Sequence, residues 1–412
     1  MINIRILFLY SIVIAGTLYA EQIDLRSYAS GFDSIPIAVI QFRSLNNAGI
    51  TTNPPWEIIA DDLDFSGRFF VIRTPKSDSA LFAGKNIGIF IYGEYTITGN
   101  DIEMDCNLYD ATAMDLLFGK KYRGQLKFLR DMAHRFTNKI YDMLLGERGP
   151  FESEILFVKD KGNTKHLYIM DYDGYNQRKL TSRGKVNVFP AFIDSNTIVW
   201  TSFLRGKPDL YTGSISAGSF SIFVYSRYIE TSPAASTIHD KIVYASSRAG
   251  NLDIYTCNRT GKNKRRLTFN RSIDTSPCWS PNGYHIAFTS DRTGQPQIYV
   301  MDADGVNTRR ITFNGSYQDS PAWSPRGDKI AYSSLQNGKF DIWTVSPDGT
   351  EPAQVTALPG NNEYPTWSPD ASHIAFVSTR GGKSNIYCIR PDGTGIKQIT
   401  RSGNAKMPDW SK

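Results

Sequence analysis

Between residues 276 and 312, short apolar runs alternate with turn-forming residues. Ser276-Pro277-Cys278-Trp279-Ser280-Pro281-Asn282-Gly283 opens the stretch, and Ile286-Ala287-Phe288, Ile298-Tyr299, Asp304-Gly305 and Arg310-Ile311-Thr312 follow. Runs rich in Ile, Phe, Tyr and Val and bounded by Gly, Asn, Asp or Pro read as strands. Gly tolerates positive φ, and Asn and Asp bond their own backbone, so Asn282-Gly283 and Asp304-Gly305 read as turns. One such unit predicts about four short strands. It recurs at Pro321-Ala322-Trp323 with Ile330-Ala331-Tyr332, and at Pro365-Thr366-Trp367 with Ile374-Ala375-Phe376. Weaker copies stand at Pro190 and Pro233, and Pro408-Asp409-Trp410-Ser411 is a last fragment. The six prolines at 190, 233, 277, 321, 365 and 408 recur every 43 or 44 residues. A strand-rich period of about 40–45 residues is the pattern of propeller blades, which stack because a lone four-stranded sheet cannot bury both faces.

The ends of the array predict how the ring closes. The first blade opens directly on Ile155-Leu156-Phe157-Val158 with no Pro-x-Trp strand ahead of it, and the last residues supply such a strand with nothing after it. Pairing of Met407–Ser411 with the first blade therefore gives six blades over residues 151–412 and removes the last open edge.

Upstream, residues 21–148 follow a different grammar. Pro36–Ile40 reads as a buried strand and Trp56–Leu63 as a helix. Arg68–Ile72, Ile89–Thr98, Ile102–Tyr109 and Tyr122–Phe128 read as strands. Leu129, Met132, Phe136, Ile140 and Leu144 recur at helical spacing, and Gly146 stops that helix. The fold class expected is α+β multidomain: a small N-terminal α/β domain followed by a six-bladed β-propeller closed by the C-terminal strand. The connection Gly146–Pro150 is too short for independent movement.

Length and composition agree with this division: 412 residues fit two domains, and 41% hydrophobic with 21% charged residues is a globular balance. Residues 1–20 read as a signal peptide, with Arg5 as the positive region, Ile6–Ile14 as the apolar core and a cut expected after Ala20. That apolar run is shorter than the roughly 20 residues of a membrane span. A net charge of +6 is spread along the chain and does not point to nucleic acid. The four cysteines fall on different strands and domains, so unpaired thiols are expected.

The search for chemistry finds neither a Gly-x-Ser-x-Gly elbow nor ligand spacing among the five histidines, so no catalytic residue, metal or cofactor is expected. His285 and His373 share one repeat position, where the neighbouring blade has Lys329, and read as solvated turn residues. The Asp-x-Asp-Gly runs at 171–174 and 302–305 read as turns, and the repeat tryptophans Trp279, Trp323, Trp367 and Trp410 as inter-blade packing. The residues before each repeat proline crowd around one mouth of the channel: Glu230, Thr231 and Ser232; Asp274, Thr275 and Ser276; Asp319 and Ser320; Glu363 and Tyr364. An acidic, hydroxyl-rich ring suits the docking of a protein loop, and ordinary polar loops suit the same residues.

The order of segments, the Trp-Ser-Pro blades, Ile35-Pro36-Ile37-Ala38-Val39 and the run Asp171-Tyr172-Asp173-Gly174-Tyr175-Asn176-Gln177 resemble the TolB family of the Tol-Pal cell-envelope system. The resemblance covers the chain after residue 20. It implies a periplasmic, non-catalytic, monomeric scaffold, peripheral to membranes, that serves outer-membrane integrity and constriction at cell division. It implies Pal, the peptidoglycan-associated lipoprotein, at the propeller mouth, on the residues before the repeat prolines. It implies TolA at the mature N-terminus, Glu21, Gln22, Ile23, Asp24 and Leu25, and allows other outer-membrane or peptidoglycan-associated partners. Pal occupancy would decide whether the N-terminal segment is free for TolA. The second blade departs from the pattern: it lacks Trp-Ser-Pro and carries the Gly- and Ser-rich stretch Tyr211–Phe220. The competing expectation is a secreted propeller lyase or glycosidase acting on a polysaccharide; a third is a peptidase-type propeller without its hydrolase.

Overall fold

The computed structural model describes residues 34–50, 52–77, 79–357 and 359–411. The signal segment, its cut after Ala20 and the pentapeptide Glu21–Leu25 lie outside the described residues. The α/β region runs β1 (Ile35–Ile40), β2 (Arg43–Ser44), α1 (Pro55–Ser66), β3 (Phe69–Thr74), α2 (Ser79–Gly84), β4 (Ile89–Thr98), β5 (Asp101–Asp110), β6 (Leu116–Gln125) and α3 (Leu129–Leu145). The sheet order is β3-β1-β4-β5-β6, with β1 parallel to both β3 and β4. β1 is buried along its whole length, as a parallel strand covered on both faces requires. The helical stripe Leu129, Met132, Phe136, Ile140 and Leu144 is buried, and α3 stops at Gly146, whose φ of 71° satisfies the left-handed cap. One expectation shifts. The last strand of this sheet is Leu116–Gln125 rather than Tyr122–Phe128, because its register is set against β5, and residues 126–128 form a single tight turn.

Six four-stranded antiparallel sheets follow. From the channel outward, blade 2 is Asn187–Phe192, Thr197–Ser202, Asp209–Ser214 and Ser219–Val224. Blades 3, 4, 5 and 6 begin at Glu230–Ala235, Asp274–Trp279, Tyr317–Trp323 and Asn362–Trp367. Blade 1 takes its innermost strand from the chain end: Ala405–Trp410 pairs with Glu154–Asp160, then Lys165–Asp171 and Arg178–Lys179. The ring is thus closed as expected.

Most outermost strands are only two residues long, and the repeat shows why. In five blades a threonine hydroxyl accepts the backbone N–H of the third strand at 2.9 Å, as Thr268 does for Ile254 and Thr312 for Ile298. A side chain therefore does the work of a ladder bond. Blade 2 has Tyr225 in the corresponding stretch and instead extends its fourth strand over six residues, with the Gly218 turn at φ 60°. The Gly- and Ser-rich departure is thus a full hairpin. Each repeat tryptophan is buried, and Trp367 Nε1 donates to Ala322 O of the neighbouring blade at 3.0 Å, so these rings tie blades together. No disulfide joins Cys106, Cys257, Cys278 and Cys388.

The α/β region and propeller share one hydrophobic core, in which Phe65, Phe136 and Tyr141 join Phe151, Tyr172 and Trp410. Contacts fall on the turns between first and second and between third and fourth strands: Phe65 stacks on His373 at 4.1 Å, and Glu147 pairs with Arg326 at 3.2 Å. His373 is therefore not a solvated turn residue; it is 1% exposed beneath α1.

Two buried histidines of this interface titrate in opposite senses. Burial lowers the His373 pKa to about 4, outweighing Asp370. Burial also works to lower that of His134, but Asp62, whose carboxylate receives Nδ1 at 2.9 Å, and then Asp173 outweigh it and raise it. For His134 the folded pKa is raised, so its contribution is complete below the unfolded value of 6.5 and is lost as pH rises through the folded pKa. For His373 the folded pKa is depressed, so stability is lost as pH falls from 6.5 toward about 4. Melting temperature should peak near pH 6.5 and decline on both sides. His134→Gln should flatten the alkaline limb; an unchanged limb in that variant would refute the assignment.

Candidate functional site

The opposite face of the propeller carries the loops between second and third strands and those between successive blades. They are cross-tied: Ser247 N donates to Ile229 O at 3.0 Å, Ile273 N to Asp291 Oδ1 at 2.8 Å, and Thr379 N to Asn361 O at 3.1 Å. The α/β region leaves this face open. The channel holds a cavity of about 570 Å³ that runs from the residues before the six repeat prolines, past Trp279, Trp323, Trp367 and Trp410, to turns on the other face at Asp194, Thr237, Arg259 and Pro325.

The ring around the mouth has one repeated device. The residue before every repeat proline is left-handed and is not glycine: Phe189, Ser232, Ser276, Ser320, Tyr364 and Met407 have φ between 48° and 57°. Pairing with the second strand slips at the same place in each blade, between Thr275 and Cys278 for instance, and between Glu363 and Thr366. Each first strand thus carries a bulge, and bulges re-aim side chains beside functional sites. A non-glycine residue there costs on the order of 1 kcal/mol or more and persists only where the surroundings over-determine it. Here they do: Ser232 N donates to Thr201 Oγ1 at 3.2 Å and Tyr364 N to Ser333 Oγ at 3.0 Å, hydroxyls of the preceding blade.

The bulge decides which expected residues reach the surface. Three positions before the proline the side chain turns into the blade. Glu230 and Asp274 are 0% exposed there and do not belong to an open acidic ring. Glu230 Oε1 accepts from Arg248 Nη2 and Ser226 Oγ, each at 2.7 Å. Asp274 accepts from Arg292 Nη2 at 3.1 Å and Asn270 Nδ2 at 2.9 Å. The same position holds Gln318 and Asn362 in blades 5 and 6, which the sequence reading passed over. For Asn362, as for Glu230 and Asp274, a signal was available: Ser-x-Arg ends the second strands at Ser246–Arg248, Ser290–Arg292 and Ser378–Arg380, and each arginine bonds this buried position.

One and two positions before the proline, side chains are half-buried and face the mouth: Thr231, Thr275, Ser276, Asp319, Ser320, Glu363, Tyr364, and also Lys406 and Met407; Ser232 is nearly buried. Asp319 accepts from Thr289 Oγ1 at 2.8 Å. Burial, then the Asp319 charge, raise the Glu363 pKa, with Lys406 opposing. Burial, then Asp319 and Glu363, raise Tyr317 and Tyr364 as well. The two carboxylates therefore form a notch between blades 5 and 6, and among the described residues no Lys, Arg or His nitrogen stands within 4.0 Å of either; Lys406 is paired with Asp160 at 3.2 Å.

A second polar cluster lies between the domains. Tyr172 donates to Asp62, which also receives His134, and Arg130 bonds Asp173 and stacks on Tyr175 at 3.7 Å. His134, Asp171 and Asp173 bring their ligand atoms within 4.8 Å of one another. Arg130 Nη2, bonded to Asp173 and 3.5 Å from His134 Nε2, is the cation of that cluster. Asp171, pushed up to about 6 by burial and by Asp173, bonds Asn176 at 2.6 Å. The run at 171–177 is thus spent on holding the domains together.

A six-bladed ring closed by its C-terminal strand, with an α/β region packed beneath, places the chain in the class of closed β-propellers with an N-terminal α/β domain. Residues 141–411 match the family described as the TolB beta propeller domain, and the chain belongs to that family. Among curated relatives, the Tol-Pal system protein TolB of Geobacter sulfurreducens is 37% identical over 193 residues, 44% of this chain and 45% of the relative. That of Desulfosudis oleivorans is 32% identical over 230 residues, 52% of each. The chain spans about half the length of the curated relatives it matches. In fold it is similar to the crystal structure of TolB from Acinetobacter baumannii, with a TM-score of 0.79 and 23% identity over 92% of this chain and 97% of that one. Among the described residues, no helix is long and apolar enough to cross a membrane.

Proposed function

We propose that this protein is a periplasmic, non-catalytic scaffold of a Tol-Pal system. In this reading the propeller mouth binds the lipoprotein Pal, and the N-terminal segment Glu21–Leu25 engages TolA by adding as a short strand to a partner sheet. The observation that carries it is the mouth itself. Six bulges held in a left-handed conformation set Ser232, Ser276, Ser320 and Tyr364 on the wall of the channel cavity and Thr231, Thr275, Asp319 and Glu363 next to them in the chain, at the end of the channel the α/β region leaves open. Pre-set backbone of this kind lowers the ordering cost of binding a protein loop. The names carried by the relatives support the same assignment. Docking at both ends would link outer membrane, cell wall and inner membrane during constriction, with Pal occupancy deciding whether the N-terminal segment is available.

The test is a titration of the mature protein with the soluble domains of Pal and TolA from the same genome. Both should bind. A form lacking Glu21–Leu25 should keep its Pal affinity and lose TolA, and absence of Pal binding would refute the reading.

A further inference from the structure

The mouth face is chemically lopsided. Three successive loops between blades each carry a large apolar residue at the outer edge and another beside the channel: Tyr225 with Ile229, Phe269 with Ile273, Phe313 with Tyr317. Phe269 and Phe313 are 74% and 66% exposed, Tyr225, Ile229 and Ile273 are exposed, and Tyr317 is half-buried. The corresponding loops around blades 6 and 1 carry no exposed large hydrophobic among the described residues. They carry cations without such residues, whereas on the crescent the exposed Arg205, Arg227 and Arg271 stand among the apolar side chains. Lys185 and Arg401 stand in the loops between blades, and Lys161 and Lys383 in the turns after the second strands. All four are exposed, and none lies within 4.0 Å of a carboxylate among the described residues.

Resting on the docking reading above, we propose that the partner is recognised in two parts: an apolar ridge laid on the crescent of blades 2 to 5, and acidic residues set over the basic arc of blades 6 and 1. Large exposed apolar residues repeated on three neighbouring loops are more than singly scattered exposures and mark an interaction site. Apolar anchors on one side only would fix the rotation of the partner about a nearly six-fold mouth, which the repeated bulges alone leave ambiguous. The crescent favours a protein over a lipid surface because its aromatics are pre-set. The Arg266 guanidinium lies under Phe269 at 4.8 Å and that of Arg310 under Phe313 at 5.0 Å. Each arginine is itself fixed on the carbonyl of the adjacent threonine, Thr268 at 2.7 Å in the first case and Thr312 in the second. Rings held against the blade make anchors for a complementary surface rather than wedges free to enter a bilayer.

The test uses the full mature chain, the soluble domain of the lipoprotein and, separately, vesicles of phosphatidylcholine with phosphatidylglycerol. Phe269→Ser with Phe313→Ser should weaken the lipoprotein complex at least tenfold, mainly through faster dissociation. Lys161→Glu with Lys383→Glu and Arg401→Glu should slow association severalfold and reduce its dependence on salt. Tyr284→Ser with Val306→Ser, exposed on the opposite face, should change neither. Wild-type binding left unchanged by both mouth variants overturns this inference alone. Failure of the wild type to bind overturns the docking reading with it. Loss of vesicle binding with lipoprotein affinity intact overturns it by assigning the crescent to a membrane.

Discussion

Deleting Met407–Lys412 should lower the melting temperature by about 10 °C or more, or leave the propeller unfolded. Removal of a few terminal residues is ordinarily harmless, because chain ends are seldom packed. Here the end is the innermost strand of blade 1. Trp410 is 1% exposed, its Nε1 donates to Ser153 Oγ at 2.7 Å, and its backbone N–H donates to Thr366 Oγ1 of blade 6 at 3.2 Å. Asp409 Oδ2 accepts Phe192 N of blade 2 at 2.8 Å, so the strand is fastened to both neighbouring blades. Truncating a buried Trp to Ala costs about 3–5 kcal/mol. For a unit of this size each kcal/mol shifts the midpoint by roughly 2–4 °C, so that residue alone accounts for about 10 °C. Deletion also leaves the Glu154–Asp160 strand an open edge facing the channel. Trp410→Ala should reproduce most of the loss. Differential scanning of the deletion, of Trp410→Ala and of a form lacking only Lys412 checks this; superimposable melts would sink the closure argument.

Charge reversal should have different consequences at two acids that the sequence sets alike, each just ahead of a repeat proline. Asp274→Lys should destabilise by about 3–5 kcal/mol, the cost of leaving a buried partner uncompensated. Asp274 is 0% exposed, and Arg292, fixed over Tyr299 at 4.7 Å, would face the new cation. Glu363→Lys should leave the melting temperature unchanged or slightly raised. It removes a carboxylate that burial and Asp319 already disfavour in its ionised form, and it places a cation beside Asp319. The same variant should weaken Pal binding, because a partner's cation would lose half of its notch. Thermal melts beside binding titrations separate the two residues. If Asp274→Lys melts like wild type, the buried pair is not what holds the start of that strand.

The comparison of those two acids shows where the sequence stops being readable. Period, blade number and the borrowed closing strand follow from composition along the chain. The spacing of Pro190 to Pro408 repeats one supersecondary unit, and only stacking and closure bury it. The helix that ends at Gly146 is legible for the same kind of reason, since its apolar stripe and its stop signal are local. The mouth is legible only as a region. Successive side chains of a strand point to opposite faces, so a one-residue offset moves Asp274 into a blade and Asp319 to the surface, although both stand just ahead of a repeat proline.

Which of the two positions is buried is set by the bulge at Ser276 and its five counterparts, which at Ser232 and Tyr364 is fixed by hydroxyls of the preceding blade and has no signature in a single repeat. His373 is a second case. Its repeat position is a turn in every blade, and it is buried only because α1 of the other domain lies on that particular blade. Residues 211–220 are a third: the Gly- and Ser-rich composition signals a turn, while the extended strand around it arises because this blade has no threonine to take over the third-strand amide. The sequence by itself determined the repeat, the closure and the family. The tertiary structure alone decided which face of each strand is wet, because that is set by neighbours distant in the chain.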